Sequence, residues 1–250
     1  MTSDSAHHPR PLESALFGVR IAGASVTQTS DLPPIIDGMG HDATDLVIVR
    51  APASAIDVVQ SIEAEGGRLC DVLMTFERTV PLGGLKDDAV TNGCVVRDGN
   101  TDDAQALHQL AVDAFVGFAG HWHADRRLSG TLADELYGRW ASDLALRPQE
   151  GSILLVATDG QRELAGFLAV APDQIGGWSV PLTAVHPRFR GRGILRQLLI
   201  AATARIGRTT PVVFRYETQL TNWPAIRVVT HLGFIPVSSR MTFHIWKRES

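Results

Sequence analysis

The sequence predicts an α/β chain of the α+β kind: a central mixed, mostly antiparallel sheet flanked by helices, preceded by a small α/β unit. Three observations carry this. Short β-branched runs alternate with segments whose apolar residues recur every three or four positions. From Cys94 onward these fall in the order β-α-α-β-β-β-α-β-α-β-β. Ahead of them, residues 81–93, "PLGGLKDDAVTNG", show no periodicity and many breakers, which sets a linker between two units.

Residues 1–14 read as a loose tail, with His7 and His8 as tail composition. Residues 15–80 form the small unit. Phe17 to Ile21 and Leu46 to Val49 are short strands. Ser54 is placed as a helix cap, Ile56, Val59 and Ile62 recur at helical spacing, and Gly66-Gly67 ends that helix. Leu69 to Phe76 is the last strand of the unit. Residues 94–250 form the second unit, and Val95-Val96 opens it as a strand. Thr101 caps a helix with Leu107, Leu110, Ala111, Ala114, Phe115 and Phe118 on one face. "AGHWHADRRLSG" is a loop. Leu132, Leu136, Trp140 and Leu144 mark the next helix, and the aromatic residues Phe115, Phe118 and Trp140 belong to the core. Ile153 to Ala157 and Leu164 to Val170 form a hairpin. Trp178 to Val185 is a strand. Ile194, Leu195, Leu198, Leu199, Ala202 and Ile206 line a helix, and Pro211 to Thr218 is a strand. Ala225, Val228, Val229 and Leu232 mark the last helix, closed by Gly233. Phe234 to Val237 and Met241 to Trp246 are closing strands.

Composition narrows the function. The 250 residues carry 44% apolar side chains, enough for a sizeable core, and a net charge of −4. No basic excess points to nucleic acid. The two cysteines, Cys70 and Cys94, are too few for a disulfide framework and fit a reducing cytosol. No apolar run reaches the ~18 residues of a membrane span, and the first residues carry no signal-peptide pattern. A cytoplasmic protein is the expectation.

One stretch concentrates charge and glycine: "AVHPRFRGRGILRQLL", Ala184 to Leu199. A strand, a glycine-containing turn and a helix start make an anion site, because backbone N–H groups and the helix dipole face one spot. Gly191 and Gly193 let that backbone approach a ligand. Arg190 and Arg192 can add charge-assisted contacts to phosphate oxygens. The Walker pattern is absent, and the Rossmann pattern fails because Arg196 stands at its third glycine.

With these residues the chain resembles the GNAT superfamily of N-acetyltransferases, over residues 94–250. The family signature is Q/R-x-x-G-x-G/A, met here by Arg190 and Gly193, with Leu195 departing at the last place. Arg188, Gly191 and Gly193 match the letters two residues earlier. "TNWPAIRVVTHLGF" resembles the family's N-x-x-A-x-x-L-Y-x-x-x-G-F, with Asn222, Ala225, Gly233 and Phe234 in register. The resemblance implies a GNAT-type sheet and acetyl-CoA, or another acyl-CoA, as co-substrate. It implies coenzyme contacts from Ala184, Val185, Arg190, Gly191, Arg192, Gly193, Ile194, Leu195, Asn222 and Arg227. A plain helix cap is the other reading of Asn222. The small unit in front, "TFERTV" and the stretch to "SSRMTFHIW" are similar to the TDP-fucosamine acetyltransferases. That implies a small-molecule amine acceptor, first a TDP-linked amino sugar, with a homodimer as an option and no nucleic-acid or membrane partner. Acetylation of an antibiotic or other small amine is the alternative.

The family's tyrosine acid is replaced by Val229. A general acid is typically worth 10²–10⁴ in rate, so its loss opens a further reading, an acyl-CoA-binding sensor or interaction module. Candidates for proton transfer are Tyr216, Glu217, His186, His121 and His123, while ordered water can also serve the leaving thiolate. His121 and His123 in "HWH" lack a third ligand nearby, so no metal is expected, and a substrate-pocket role is preferred. Leu195 and Val229, more apolar than the family norm, admit an acyl group other than acetyl.

Overall fold

The computed structural model describes residues 7–41, 43–86 and 93–248. Strand β1 (His8–Pro9) leads into helix α1 (Pro11–Phe17). Pro11 starts the helix, where no N–H is needed, and Gly18 ends it in the left-handed region at φ 69°. Residues 8–14 are therefore not a loose tail, and His7 is buried. The expected strand at Phe17 begins only at β2 (Ile21–Ser25). The reason is local. Ser14 Oγ accepts the Ile21 N–H at 2.9 Å, and the Arg10 N–H donates to the Ile21 carbonyl, so helix and strand hold each other.

A helix that the sequence reading omitted follows, α2 (Leu32–His41). Its prolines and glycines mask a buried face of Leu32, Ile35 and Met39. Next come β3 (Leu46–Pro52), α3 (Ile56–Ala64) and β4 (Arg68–Val80). The cap position of α3 is Ala55, not Ser54, and no side chain caps it. Pro81 to Gly84 folds back onto the molecule: the Gly83 N–H donates to the Gly207 carbonyl and the Leu85 N–H to Thr203 Oγ1. A Cβ on Gly84 would stand 2.7 Å from Ala204 backbone, so that turn requires glycine. The rest of the expected linker, residues 87–92, lies outside the described residues.

Strand β5 (Val95–Asp98) precedes a short 3₁₀ turn capped by Asn100 rather than Thr101. Asp103 returns a bond to the Asn100 N–H and also holds Arg97, so the turn feeds straight into α4 (Ala104–Phe115). The "HWH" loop contains a helical turn, α5 (His121–Ala124), and Ser129 caps α6 (Gly130–Leu146). The hairpin is β6 (Ile153–Thr158) and β7 (Leu164–Pro172). The single strand expected over Trp178–Val185 is two, β8 (Trp178–Ser179) and β9 (Thr183–Val185). Then come α7 (Ile194–Ile206), β10 (Val212–Gln219), α8 (Trp223–His231) and one long β11 (Ile235–Trp246) in place of two closing strands.

The strands form one sheet in the order β1-β2-β3-β11-β4-β10-β8-β7-β6-β5, with β9 beside β7. Among the described residues only β2 with β3 and β8 with β10 pair in parallel. The sheet is thus mixed and mostly antiparallel, with helices on its faces. The last strand, β11, runs between β3 and β4, so the sheet crosses from residues 15–80 into residues 94–250 without a break. Phe243 and Ile245 of β11 complete the core made by Val26, Ile35, Val47, Val49 and Ile62. A second core lies under α4 and α6, around Trp122, Leu107 and Phe167. A third lies under α7 and α8, around Phe76, Leu198, Phe214 and Phe234. No helix among the described residues is long and apolar enough to cross a membrane.

The shared core makes a prediction. Phe243→Ala removes a fully buried ring and should cost about 3–5 kcal/mol. Urea unfolding followed by fluorescence and by far-ultraviolet circular dichroism should shift as a single transition. Two separated transitions would show that the front strands do not depend on β11.

Candidate active site

The turn between β9 and α7 is built on the core. His186 Nδ1 accepts the Arg188 N–H at 3.2 Å and caps the 3₁₀ turn Pro187–Phe189. Phe189 is buried and pins that turn. Gly191 and Gly193 both take left-handed backbone, at φ 77° and 76°. Gly193 is the residue before α7 and offers no side chain, so the first-turn N–H groups, including those of Ile194 and Leu195, have no side-chain cap. A Cβ on Gly191 would meet nothing within 4 Å, so the turn is open on that side.

The arginines of this turn differ. Arg190 turns back and donates to the Ala114 carbonyl at 2.7 Å and the Val185 carbonyl at 3.4 Å. Its guanidinium braces the turn against the end of α4. Arg188 pairs with Glu163 at 2.8 Å. Arg192 is exposed and lies over the Phe189 ring, 5.2 Å from its centroid.

Next to the turn the sheet opens. β8 pairs with β10 at Phe214 and Arg215, but β9 pairs with β7 alone. From Tyr216 to Gln219, β10 has β4 on one side and, among the described residues, no strand on the other. Ala184 and Val185 therefore line a wedge with backbone groups facing into it. Asn222 stands at the start of α8, yet its side chain caps nothing. Its Nδ2 donates instead to Thr218 Oγ1 at 2.9 Å, on the β10 side of the wedge. Arg227 is exposed on α8. Val229 is fully buried in the apolar core with Tyr216, whose pKa burial raises.

The proton-transfer candidates fall in separate places. His186, besides its capping bond, sits 3.6 Å from Asp113. Glu217 holds Arg240 through both carboxylate oxygens and accepts from Thr75 Oγ1. His123 Nε2 lies 2.8 Å from Asp134, and its ring is parallel to that of Tyr137. His121 joins a chain the sequence reading missed. His121 Nδ1 is 3.0 Å from His244 Nε2, and His244 Nδ1 is 2.8 Å from Asp125 Oδ2. Trp246 Nε1 also donates to Asp125. Burial alone would raise the Asp125 pKa, but the bonds from His244, Trp246 and the Arg127 N–H outweigh it and hold the carboxyl well below the usual range. Burial, then the neighbouring His244, keeps His121 neutral with its pKa well below the ordinary histidine value.

Beside this chain lies a cavity of about 690 Å³. β4 contributes Leu69 to Val72, the segment before α5 contributes Gly117 to Ala119, α5 contributes His123, and the end of β10 contributes Gln219 to Thr221. The cavity thus meets the open end of the wedge. Asp71 is buried here. Its Oδ2 accepts the His121 N–H at 3.2 Å, while Oδ1 has no hydrogen-bond partner. Cys70, Asp125 and His244 place one donor atom each within 4.8 Å, a grouping a metal ion can use. His244 Nδ1 and Asp125 Oδ2 are already engaged with each other, and burial, with Asp125 and Asp71, pushes the Cys70 thiol up to about 12.

The chain belongs to the acetyltransferase (GNAT) family, whose model matches residues 104–234, just over half of its length. It is a GNAT N-acetyltransferase. The family in general uses acetyl-CoA as co-substrate and takes a small-molecule acceptor. A curated relative, the spore coat polysaccharide biosynthesis protein SpsD of Bacillus subtilis (strain 168), is 24% identical over 256 residues, covering 97% of this chain and 82% of the relative. Two solved structures share the fold. One is a functionally unknown conserved protein from Staphylococcus epidermidis, with TM-score 0.62, 11% identity and coverage of 99% and 94%. The other is a GCN5-related N-acetyltransferase from Kribbella flavida, with TM-score 0.61, 13% identity and coverage of 90% and 81%.

Asp71, Asp125, Asp134 and His244 were not anticipated. The available signal was polar residues on alternate positions of an apolar strand, as in "RMTFHIW", where Arg240, Thr242, His244 and Trp246 share a face.

The buried chain has a pH signature. His121 binds its proton less readily folded than unfolded, so stability is intact above the unfolded pKa of ~6.5 and falls as pH drops below it. One such group contributes a slope of about 1.4 kcal/mol per pH unit. Urea melts between pH 7.5 and 5.5 should show a shallower loss for His121→Gln than for the parent chain. An unchanged slope would place the histidine in contact with solvent.

Proposed function

We propose that this protein transfers the acetyl group of acetyl-CoA to the amine of a nucleotide-linked amino sugar, TDP-linked first, by direct attack in a ternary complex. The observation that carries the reading is the meeting of two features. The wedge beside β9 opens onto a cavity lined by Asp71 and His123. The kinship with a polysaccharide biosynthesis protein supports a sugar acceptor over an antibiotic.

In this reading the N–H groups from Gly191 to Leu195 hold the coenzyme's pyrophosphate, with Arg192 adding charge. The pantetheine arm lies in the wedge like an added strand against Ala184 and Val185, with Asn222 beside it. Arg227 stands toward the coenzyme's phosphates. Arg190 acts through its brace to the Ala114 carbonyl, which keeps the turn in place.

The amine enters from the cavity, where Asp71 Oδ1 takes its hydrogen bond. Its nitrogen attacks the thioester carbonyl, whose oxygen is polarised by backbone N–H on β9. The carbon–sulfur bond breaks and the coenzyme leaves as thiolate. The amine's proton passes to water, and water protonates the thiolate. Val229 offers no proton, and the sulfur's ordinary pKa of ~8.5 makes departure near neutral pH feasible. Most of the acceleration comes from holding both substrates in one cleft.

Free-thiol release from acetyl-CoA with a panel of TDP-4-amino sugars tests this, with buffer and an aminoglycoside as controls. Release with one nucleotide sugar is the expected result. No release with any acceptor would overturn the reading. Gly193→Val, at a backbone φ of 76°, should weaken acetyl-CoA binding at least tenfold by calorimetry while the circular dichroism spectrum is kept. Asp71→Asn, which removes a charged hydrogen-bond acceptor, should lower kcat/KM by roughly 10- to 10²-fold and leave coenzyme affinity unchanged.

A further inference from the structure

Three polar side chains stand in one row across three neighbouring strands. Thr242 of β11 is opposite Arg50 of β3 on one side and opposite Asp71 of β4 on the other. Residues opposite one another across a ladder share a face of the sheet, so all three point the same way. Each carries a buried atom with no hydrogen-bond partner among the described residues: Arg50 Nε, Thr242 Oγ1 and Asp71 Oδ1. Thr242 is 0% exposed and Asp71 is 8% exposed. Native interiors satisfy nearly all buried polar atoms, and unsatisfied ones that cluster mark a place where polar groups arrive from outside the chain.

The charges of the row are also uneven. Arg10 and Arg240 lie close enough that, after burial, their like charges lower the Arg50 pKa. Arg10 has Glu13 at 3.1 Å and Arg240 has Glu217 at 2.7 Å. Arg50 has no carboxylate in ion-pair reach among the described residues. Asp71 and Glu217 act on Arg50 in the opposite sense, but neither comes within ion-pair reach, so the half-buried guanidinium retains the capacity to take an anion.

We infer that Arg50 and Thr242 form a subsite for an oxyanion on the acceptor, a phosphate or carboxylate group lying within about 10 Å of the amine held at Asp71. The spacing is that of two strand intervals. The inference rests on the transferase reading for the identity of the amine end, while the anion end stands on the row itself. Arg50 presents paired donors to two oxygens of the anion, and Thr242 Oγ1 donates to one. The subsite therefore selects acceptors that carry negative charge near the amine, as a sugar 1-phosphate or its nucleotide ester does.

The test is calorimetric titration of the full chain saturated with coenzyme A, so that the α7 terminus is already filled. The phosphate probes are inorganic pyrophosphate and TDP, and the carboxylate probe is succinate. One class should bind, and Arg50→Met should weaken it at least tenfold, with Arg50→Lys weakened less. Acetyl-CoA affinity should be the same in all three proteins. The melting temperature of Arg50→Met should equal or exceed that of the parent, because an unpaired charge has been removed. With a working acceptor, Arg50→Met should raise KM at least tenfold. The inference falls if no probe binds, if the methionine variant binds as well as the parent, or if that variant melts several degrees lower, since the arginine would then be structural. Thiol release indifferent to Arg50 would leave the transferase reading standing and remove this one. If coenzyme A itself fails to bind, the transferase reading falls, and Arg50-dependent binding of the probes decides the subsite alone.

Discussion

The structure depends on the register of β11 between β3 and β4. Alternate residues of that strand face opposite sides, so Met241, Phe243 and Ile245 meet one core while Arg240, Thr242, His244 and Trp246 meet the other face. A slip of one residue would bury His244 in the apolar core and turn Phe243 toward Asp71. The register is fixed from both sides, by seven pairs with β3 and a bulged ladder with β4. Fixing it places the Asp125–His244–His121 chain, the polar row and the wall of the cavity at once. The C-terminal strand thus builds the front core and the polar face together.

The wedge depends on a second constraint, a clamp at its closed end. Arg215 of β10 bonds Asp173, just past β7, and Glu77 of β4. Asp173 also takes the Gly177 N–H, and a Cβ on Gly177 would lie 2.7 Å from the Val213 carbonyl oxygen. The chain is therefore held tightly where β8 meets β10. Beyond Ser179 it parts from β10 and stays with β7, where Thr183 Oγ1 donates to the Phe167 carbonyl. Tight pairing on one side of this point and none on the other gives an open edge inside a sheet, where exposed backbone groups are otherwise avoided.

How far the sequence revealed this follows from which interactions are local. The strand–glycine turn–helix at 184–199 was legible because left-handed backbone at Gly191 and Gly193 needs glycine within the turn itself. The stripes of α4, α6 and α7 were legible because burial repeats along one helix. Helix α2 was hidden because Pro33, Pro34, Gly38 and Gly40 speak against a helix, while burial of Leu32, Ile35 and Met39 against β2 and β3 outweighs them. The split of Trp178–Val185 was hidden because it turns on the loss of β10 as a partner, with a bend at Pro181, while β7 stays alongside both pieces. Asp71 and His244 were hidden for a related reason: 173 positions separate them, and only β11's place beside β4 brings them to one face.

The two halves of the site rest on different chemistry, and the stability cost falls on one of them. The wedge and the α7 terminus offer backbone groups that any sequence with the same fold would present. The cavity side offers side chains, Asp71 and His123, with Thr242 and Arg50 continuing the row from Asp71 across β11 and β3. Buried polar atoms left unpaired cost roughly 1–3 kcal/mol each, so apolar residues in that row would make a more stable protein. The sheet elsewhere takes that course, with β7 buried and apolar along nearly its whole length. A fold able to fill a row with valine and alanine on one strand, yet carrying arginine, threonine and aspartate in line across three others, is the pattern the proposed acceptor subsite accounts for. Under the proposed transferase reading, discrimination between acceptors falls to the face β11 builds, and the wedge is left to the acyl donor.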